Sequence, residues 1–236
     1  MPDADLSLAV PAVFFGAVGT AGQRCTSTRR LYLHRAIAPE FLARLQELYA
    51  SLQPGDPLDA RTLLGPLHTR AALDMYDGAI AELQSASARI LTGGARYDGP
   101  GNFVRPTIAL PHSPRGELWQ KERFAPVLLA AEFERLEEAI EWNNAVPQGL
   151  SSSLWTRDVR HVGKWIGPAG SDAGIVNVSS VPLLTSPKKK KFATSYTVTK
   201  VNVGTSGAEI GAAFGGNKVS SFLLVEDVEA LRRRSH

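Results

Sequence analysis

The sequence predicts an α/β fold in which helices cover a parallel β-sheet. Stretches with apolar residues at helical spacing alternate along the chain with short apolar runs of strand character. This alternation is typical of parallel sheets, because parallel neighbours need a crossover connection that is usually a helix. Hydrophobic residues make up 44% and charged residues 21% of the 236 residues, a balance that indicates a globular protein with a buried core.

The first predicted helix begins after Asp5, because aspartate is a favoured N-cap residue. The apolar, alanine-rich segment Leu6–Val18 follows it, and we predict a buried helix there despite Pro11. A short strand is predicted at residues 31–33. An amphipathic helix is predicted at residues 39–52, because its apolar residues fall on one face.

The same alternation continues to residue 178. Residues 69–86 carry Leu73, Tyr76 and Ile80 on one helical face, and residues 89–91 form the next predicted strand. The remaining predictions are strand Val127–Phe133, helix Leu136–Asn144, strand 152–155, helix Val159–Ile166 and strand 175–178.

Residues 179–201 interrupt this pattern. They contain Pro182, Pro187 and four consecutive lysines without a helix or strand period, which predicts a disordered insertion. The tripeptide Val-Asn-Val occurs directly before this segment, at 176–178, and again at its end, at 201–203. We interpret the insertion as translated intron or another error of the gene model. Residues 219–236 are predicted to form a helix with a basic C-terminal end. We interpret this segment too as an error of the gene model.

The composition argues against several classes of protein. No apolar run approaches the roughly 20 residues of a membrane-spanning helix. Asp3 and Asp5 stand where a targeting peptide would carry basic residues, so a cytoplasmic protein is expected, or a mitochondrial one if an upstream transit peptide is missing. Cys25 is the single cysteine and the histidines lack zinc spacing, so no metal is predicted. The lysines at 188–191 have no interleaved aromatic residues, which disfavours a nucleic-acid partner.

Cys25 is the candidate nucleophile. It follows the predicted first helix and a turn in which Gly19 and Gly22 allow the backbone to approach a ligand closely. Arg24 is adjacent, and a neighbouring cation lowers the pKa of a thiol and so favours the nucleophilic thiolate. The residues alone leave open that Cys25 is a small buried apolar side chain, which is the commoner state of a free cysteine.

Three motifs resemble those of the aldehyde dehydrogenase family and occur in the family's order. They are the string FFGAVGTAGQRCT at residues 14–26, the Glu-x-Phe-x-Pro element at 122–126, and Asn144 followed by Gly-Leu at 149–150. The resemblance covers about residues 3–178 and 202–218. It implies a Rossmann-like parallel sheet flanked by helices, with residues 1–178 as an incomplete catalytic domain and 202–218 as a substrate-loop segment.

The resemblance also implies NAD-dependent oxidation of an aldehyde to a carboxylate. Cys25 matches the family's nucleophile, which forms a thiohemiacetal and then a thioester, and its backbone N–H is one donor to the oxyanion. Glu122 matches the residue that holds the nicotinamide ribose, and Phe124 matches the residue that flanks the nicotinamide ring. Without the resemblance, Glu122 could equally be a solvated surface acid.

Four further motifs are WNN at 142–144, GLSSS at 149–153, GSD at 170–172 and GTSGAEIG at 204–211. They resemble the antiquitin-like branch of the family, whose enzyme oxidises α-aminoadipic semialdehyde in lysine catabolism. In that branch the residue at Arg24 pairs with the far carboxylate of the substrate, assisted by the backbone N–H groups of Gly207 and Ala208. The alternative is an arginine that only holds its loop. The family further implies a homotetramer.

The sequence also departs from the family's pattern. The family's Gly-rich cofactor turn, its general-base glutamate and the asparagine of its oxyanion hole correspond to positions before residue 1. The chain taken alone is therefore expected to be a fragment that is inactive as a dehydrogenase. Two alternatives follow: a non-catalytic product that docks on full-length subunits, and a thiol esterase that uses Cys25 without a nucleotide.

Overall fold

The chain forms helices and short strands that alternate over much of its length, as predicted. The computed structural model describes residues 1–179, 198–201 and 217–218. The helices are α1 Leu6–Val18, α2 Ala38–Ser51, α3 Arg70–Ser85, α4 Glu117–Gln120, α5 Leu136–Asn144 and α6 Val159–Ile166. The strands are β1 Arg30–His34, β2 Arg89–Thr92, β3 Thr107–Leu110, β4 Val127–Phe133, β5 Gln148–Gly149, β6 Ser151–Trp155, β7 Ile175–Ser179, β8 Val198–Val201 and β9 Asn217–Lys218.

The predicted helices and strands of residues 5–178 are confirmed to within one residue at each end. The caps explain this agreement at the helix starts. The Asp5 side chain accepts a hydrogen bond from the Ser7 N–H at the start of α1, and the Thr69 side chain accepts one from Ala72 at the start of α3. Capping side chains satisfy N–H groups that the helix itself cannot pair.

The first sheet has the strand order β1-β4-β3-β2 and is mixed. β1 and β3 run parallel to β4, whereas β2 runs antiparallel to β3. The predicted parallel sheet therefore has one antiparallel strand at this edge, and β3 was not predicted. The reason is the connection: residues 93–106 form a glycine-rich loop instead of a helix, with Gly93 and Gly94 at positive φ.

The second sheet has the order β6-β7-β8, and all its strands are parallel. Strand β8 lies at the end of the insertion predicted to be disordered, and residues 180–197 of that insertion lie outside the described residues. The β-branched residues Val198, Thr199 and Val201 favour a strand there. Strand β9 pairs antiparallel with β5. The predicted helix in residues 219–236 lies outside the described residues.

Two apolar cores stabilise the sheets. The larger one joins α1, α2 and α3 to the first sheet, and its fully buried side chains include Leu45, Tyr76 and Leu128. The smaller one lies between α5, α6 and the second sheet, around Trp165 and Val176. In the part of the chain that the structure describes, no helix has the length and apolar character needed to cross a membrane.

Replacing Tyr49 with phenylalanine should stabilise the fold. The Tyr49 hydroxyl is buried without a hydrogen-bond partner among the described residues, and burial raises the pKa of Tyr49. An unsatisfied buried polar group costs about 1–3 kcal/mol, so the free energy of unfolding in urea should rise by about 1 kcal/mol. The control Tyr76→Phe should lower it, because the Tyr76 hydroxyl bonds Arg105 O at 2.7 Å and Thr107 Oγ1 at 2.9 Å. Equal effects of the two substitutions would contradict this account.

Candidate active site

Cys25 is reached through a turn of unusual backbone conformation. Helix α1 leads into the 3₁₀ turn Gly19–Gly22, in which Thr20 has φ 51° and Ala21 has φ 52°. Gly22 follows at φ 66°. The left-handed conformation costs an L-residue with a side chain about 1–2 kcal/mol. Strain of this kind is concentrated at functional sites, where the surrounding structure enforces it.

The Cys25 side chain is exposed on the turn that follows. The predicted position, on a turn after a helix, is thus confirmed, and the alternative of a buried apolar side chain is contradicted. Thr26, Ser27 and Thr28 directly after it are buried and anchor the turn. Within the described part of the chain, the Cys25 backbone N–H donates no hydrogen bond. A nucleophile and an unused N–H donor therefore share one residue.

Gly22 brings the turn against the segment that precedes β4, residues 122–126. A Cβ atom on Gly22 would lie 2.5 Å from the Ala125 carbonyl oxygen and 2.8 Å from the Pro126 nitrogen. Contacts this short are possible only for glycine. The motif around Cys25 and the Glu-x-Phe-x-Pro motif, about 100 positions apart in sequence, are therefore in direct backbone contact.

Arg29 lies between these two segments and was not singled out by the sequence. Its side chain is 16% exposed. Burial lowers the pKa of Arg29, and the charges of Glu122 and Cys25 oppose that shift; an arginine stays charged in any case. Its guanidinium donates to the carbonyl oxygens of Ser27 (3.0 Å), Arg24 (3.0 Å), Gly22 (3.3 Å) and Arg123 (3.2 Å).

Glu122 and Phe124 both contact the Arg29 guanidinium. A Glu122 carboxylate oxygen lies 3.5 Å from it, and the guanidinium carbon lies 5.0 Å from the centre of the Phe124 ring. The Glu122 side chain remains 45% exposed. A carboxylate and an aromatic ring are thus held beside the turn of Cys25.

Cys25 and Glu122 open onto one cavity of about 210 Å³. Residues 30–33 of β1 line one side of it, and residues 151–155 of β6 line another. Phe124 is outside this lining. The described residues contain no group of three or more histidine, cysteine, aspartate or glutamate side chains that could hold a metal ion.

Arg24 lies next to Cys25 with its guanidinium over the Phe15 ring, 5.0 Å from the ring centre. Within residues 1–179 that guanidinium forms no ion pair or hydrogen bond. Recognition of a carboxylate by Arg24 needs donors that are not already paired, and it stays a prediction. Gly207 and Ala208, the other predicted substrate-binding residues, lie outside the described residues.

Three of the four motifs of the antiquitin-like branch, at 142–144, 149–153 and 170–172, form one hydrogen-bond network. The Asn144 side chain donates to Gly170 O at 2.8 Å and accepts from the Asp172 N–H at 2.9 Å. Ser171 Oγ bonds Asn143 Nδ2 at 3.1 Å and Ser152 Oγ at 2.6 Å. These contacts fix the 170–172 loop beside β6, whose residues line the cavity. The sequence identified these residues but did not indicate that they touch.

The fold, the cysteine turn and the Glu-x-Phe-x-Pro contact are those expected of the aldehyde dehydrogenase family. The model of the aldehyde dehydrogenase family matches residues 1–193, and the chain belongs to this family. Among its relatives, aldehyde dehydrogenase family 7 member A1 of Pisum sativum is 47% identical over 93% of this chain and 39% of the relative. Alpha-aminoadipic semialdehyde dehydrogenase of Bos taurus is 45% identical over 92% of this chain and 36% of the relative. The antiquitin-like resemblance is thereby confirmed.

Solved structures show the same fold. Gox0499, from a study of its cofactor and substrate selection, is 27% identical with a TM-score of 0.77, over 93% of this chain and 42% of that one. The 1-pyrroline-5-carboxylate dehydrogenase from Thermus with bound NAD is 25% identical with a TM-score of 0.75, over 92% of this chain and 37% of that one. The predicted fold class is confirmed. The chain spans about two fifths of the length of the curated relatives it matches.

Proposed function

We propose that this protein acts in the NAD-dependent oxidation of an aldehyde to a carboxylate, with Cys25 as nucleophile and α-aminoadipic semialdehyde as substrate. The observation that carries the proposal is the exposed Cys25 on a strained turn in contact with the Glu122–Phe124 segment. Identities of 45–47% to relatives named for family 7 and for α-aminoadipic semialdehyde support the choice of substrate.

The chemistry begins with attack of the Cys25 thiolate on the aldehyde carbon. A C–S bond forms, the carbonyl π electrons move to oxygen, and the Cys25 N–H donates to the resulting oxyanion. When bound beside Glu122 and Phe124, NAD would supply the acceptor for the hydride of that carbon, and loss of the hydride with re-formation of C=O would leave a thioester on Cys25. Addition of water to this thioester and cleavage of the C–S bond would release the carboxylate, a proton and the Cys25 thiol.

Glu122 and Phe124 fit the nucleotide. A carboxylate accepts hydrogen bonds from two ribose hydroxyls, and that of Glu122 is exposed on the cavity that contains Cys25. A half-buried aromatic ring such as Phe124 offers a flat apolar face for a nicotinamide.

The experiment that tests the proposed function is NADH formation from α-aminoadipic semialdehyde by the purified protein, with Cys25→Ala as control. Ester hydrolysis at Cys25 tests the nucleophile separately, because it needs no nucleotide.

Arg24 should set the preference for aldehydes with a distal carboxylate. Such an aldehyde should protect Cys25 from alkylation at concentrations about tenfold lower than an uncharged aldehyde of equal length, because hydrogen bonds to charged groups contribute about 1.5–3 kcal/mol. Arg24→Gln should remove the difference. Arg35→Gln is the matched control, since Arg35 is exposed and pairs with Glu134 away from the turn. A preference that survives in Arg24→Gln would show that Arg24 only holds its loop.

A thiol esterase at the same residue is a second candidate, favoured by the unused N–H of the exposed Cys25. It predicts ester hydrolysis that is lost in Cys25→Ala and is unaffected by NAD. Docking on full-length subunits and assembly as a homotetramer remain predictions. Size-exclusion chromatography of the protein, alone and mixed with full-length subunits, distinguishes these two states.

A further inference from the structure

We infer that Arg29 is a positioning residue that orients the backbone N–H of Cys25 toward the oxyanion. This rests on the proposed function, in which Cys25 attacks a carbonyl carbon. The side chain of Arg29 is largely buried behind the turn of Cys25. It binds this turn through backbone carbonyl groups, so its contacts fix peptide planes instead of other side chains.

The decisive contact is with the carbonyl of Arg24. Arg29 Nη2 donates to Arg24 O at 3.0 Å, and the Ser27 N–H donates to the same oxygen at 3.1 Å. The Arg24 C=O and the Cys25 N–H belong to one planar trans peptide, so they point in opposite directions. With its carbonyl turned toward Arg29, this peptide directs the Cys25 N–H away from Arg29.

Two other peptides of this turn, Gly22–Gln23 and Ser27–Thr28, are fixed in the same way. Arg29 holds Gly22 O at 3.3 Å and Ser27 O at 3.0 Å. The N–H groups of the same peptides are already used: Gln23 N–H donates to Thr20 O at 3.0 Å, and Thr28 N–H donates to Gly16 O at 2.9 Å. Of the three peptides within residues 22–28 that Arg29 holds, only the one between Arg24 and Cys25 has an N–H without a partner in the described residues.

The same guanidinium also binds the segment proposed to hold the nucleotide. It donates to Arg123 O at 3.2 Å, lies 3.5 Å from the Glu122 carboxylate and covers the Phe124 ring. A planar guanidinium has five N–H donors in a fixed arrangement, whereas a lysine ammonium has three on one atom. Lysine at position 29 would keep the charge but lose most of these contacts.

Two reactions of Cys25, the only cysteine in the chain, distinguish the effect of Arg29 on the orientation of the Cys25 N–H from the effect of its positive charge. Acetylation by p-nitrophenyl acetate passes through a tetrahedral oxyanion, whereas alkylation by iodoacetamide does not. In Arg29→Lys the acetylation rate should fall by about tenfold or more, because losing an oxyanion donor costs about 10²–10³-fold. The alkylation rate should stay within about threefold of wild type, because alkylation forms no oxyanion and lysine keeps the positive charge at position 29.

Arg96→Lys is the control. Arg96 pairs with Asp74 and Asp77 and is not among the residues that line the cavity, so both rates should stay at the wild-type values. Arg29→Gln is a second variant, in which both rates fall but acetylation falls further. An unchanged ratio of acetylation to alkylation in both Arg29 variants would overturn the inference. Wild-type Cys25 that alkylates but is not acetylated above Cys25→Ala would instead reject the proposed function, and this inference with it.

Discussion

Replacing Cys25 with alanine should abolish the covalent chemistry of this protein, lowering acetylation by p-nitrophenyl acetate and any aldehyde oxidation by about 10⁴-fold or more. The magnitude is large because Cys25 is the only cysteine in the chain, so no other thiol can replace it. The measurements are the burst of p-nitrophenol, the mass of the acetylated protein, and NADH formation from aldehyde.

The fold should tolerate this substitution. The Cys25 side chain is exposed, and surface substitutions usually change stability by about 0.5 kcal/mol or less. Circular dichroism and the urea midpoint of Cys25→Ala should therefore match wild type. A variant that folds normally and keeps the acetylation burst would show that another group is the nucleophile.

Replacing Gly22 with alanine should have the second-largest effect. The added Cβ would lie 2.5 Å from the Ala125 carbonyl oxygen. The position of a Cβ is fixed by its own backbone and the carbonyl is itself backbone, so no change of rotamer can relieve this contact. The positive φ of 66° adds strain. We expect the free energy of unfolding to fall by about 2–4 kcal/mol, and acetylation of Cys25 to slow, because the turn must move away from residues 122–126.

Gly78→Ala is the matched control for this prediction. Gly78 lies within α3, and a Cβ there would meet no atom within 4 Å. Alanine should stabilise the helix by about 0.5–1 kcal/mol and leave Cys25 unaffected. Urea denaturation and acetylation kinetics of both variants test the comparison. Wild-type values for Gly22→Ala would mean that the two motifs are not in contact as the structure shows.

The sequence predicted the elements that depend on local pattern. Helices such as α3 and α5 have helical apolar spacing, and strands such as β4 are continuous apolar runs, so their limits were predicted to within one residue. Strand β3 was missed because it is four residues long and follows a loop instead of a helix. Strand β8 was missed because prolines and lysines precede it.

The sequence predicted only those residues of the site that belong to contiguous motifs. Residues 14–26 and 122–126 were identified because each motif is contiguous in sequence. The role of Arg29 was not predictable, because it depends on contact with a carbonyl 94 positions away in sequence. The fit of Gly22 against Ala125 is likewise a property of packing, which a single sequence does not reveal.

The most direct test of the central claim is ¹³C NMR of the protein with an aldehyde labelled at its carbonyl carbon and bearing a distal carboxylate. A thiohemiacetal at Cys25 should give a protein-bound signal of a tetrahedral carbon that is absent from the Cys25→Ala variant. The hydrated aldehyde gives its own signal in both samples and serves as the internal reference. A spectrum identical for wild type and Cys25→Ala at saturating aldehyde would contradict the account.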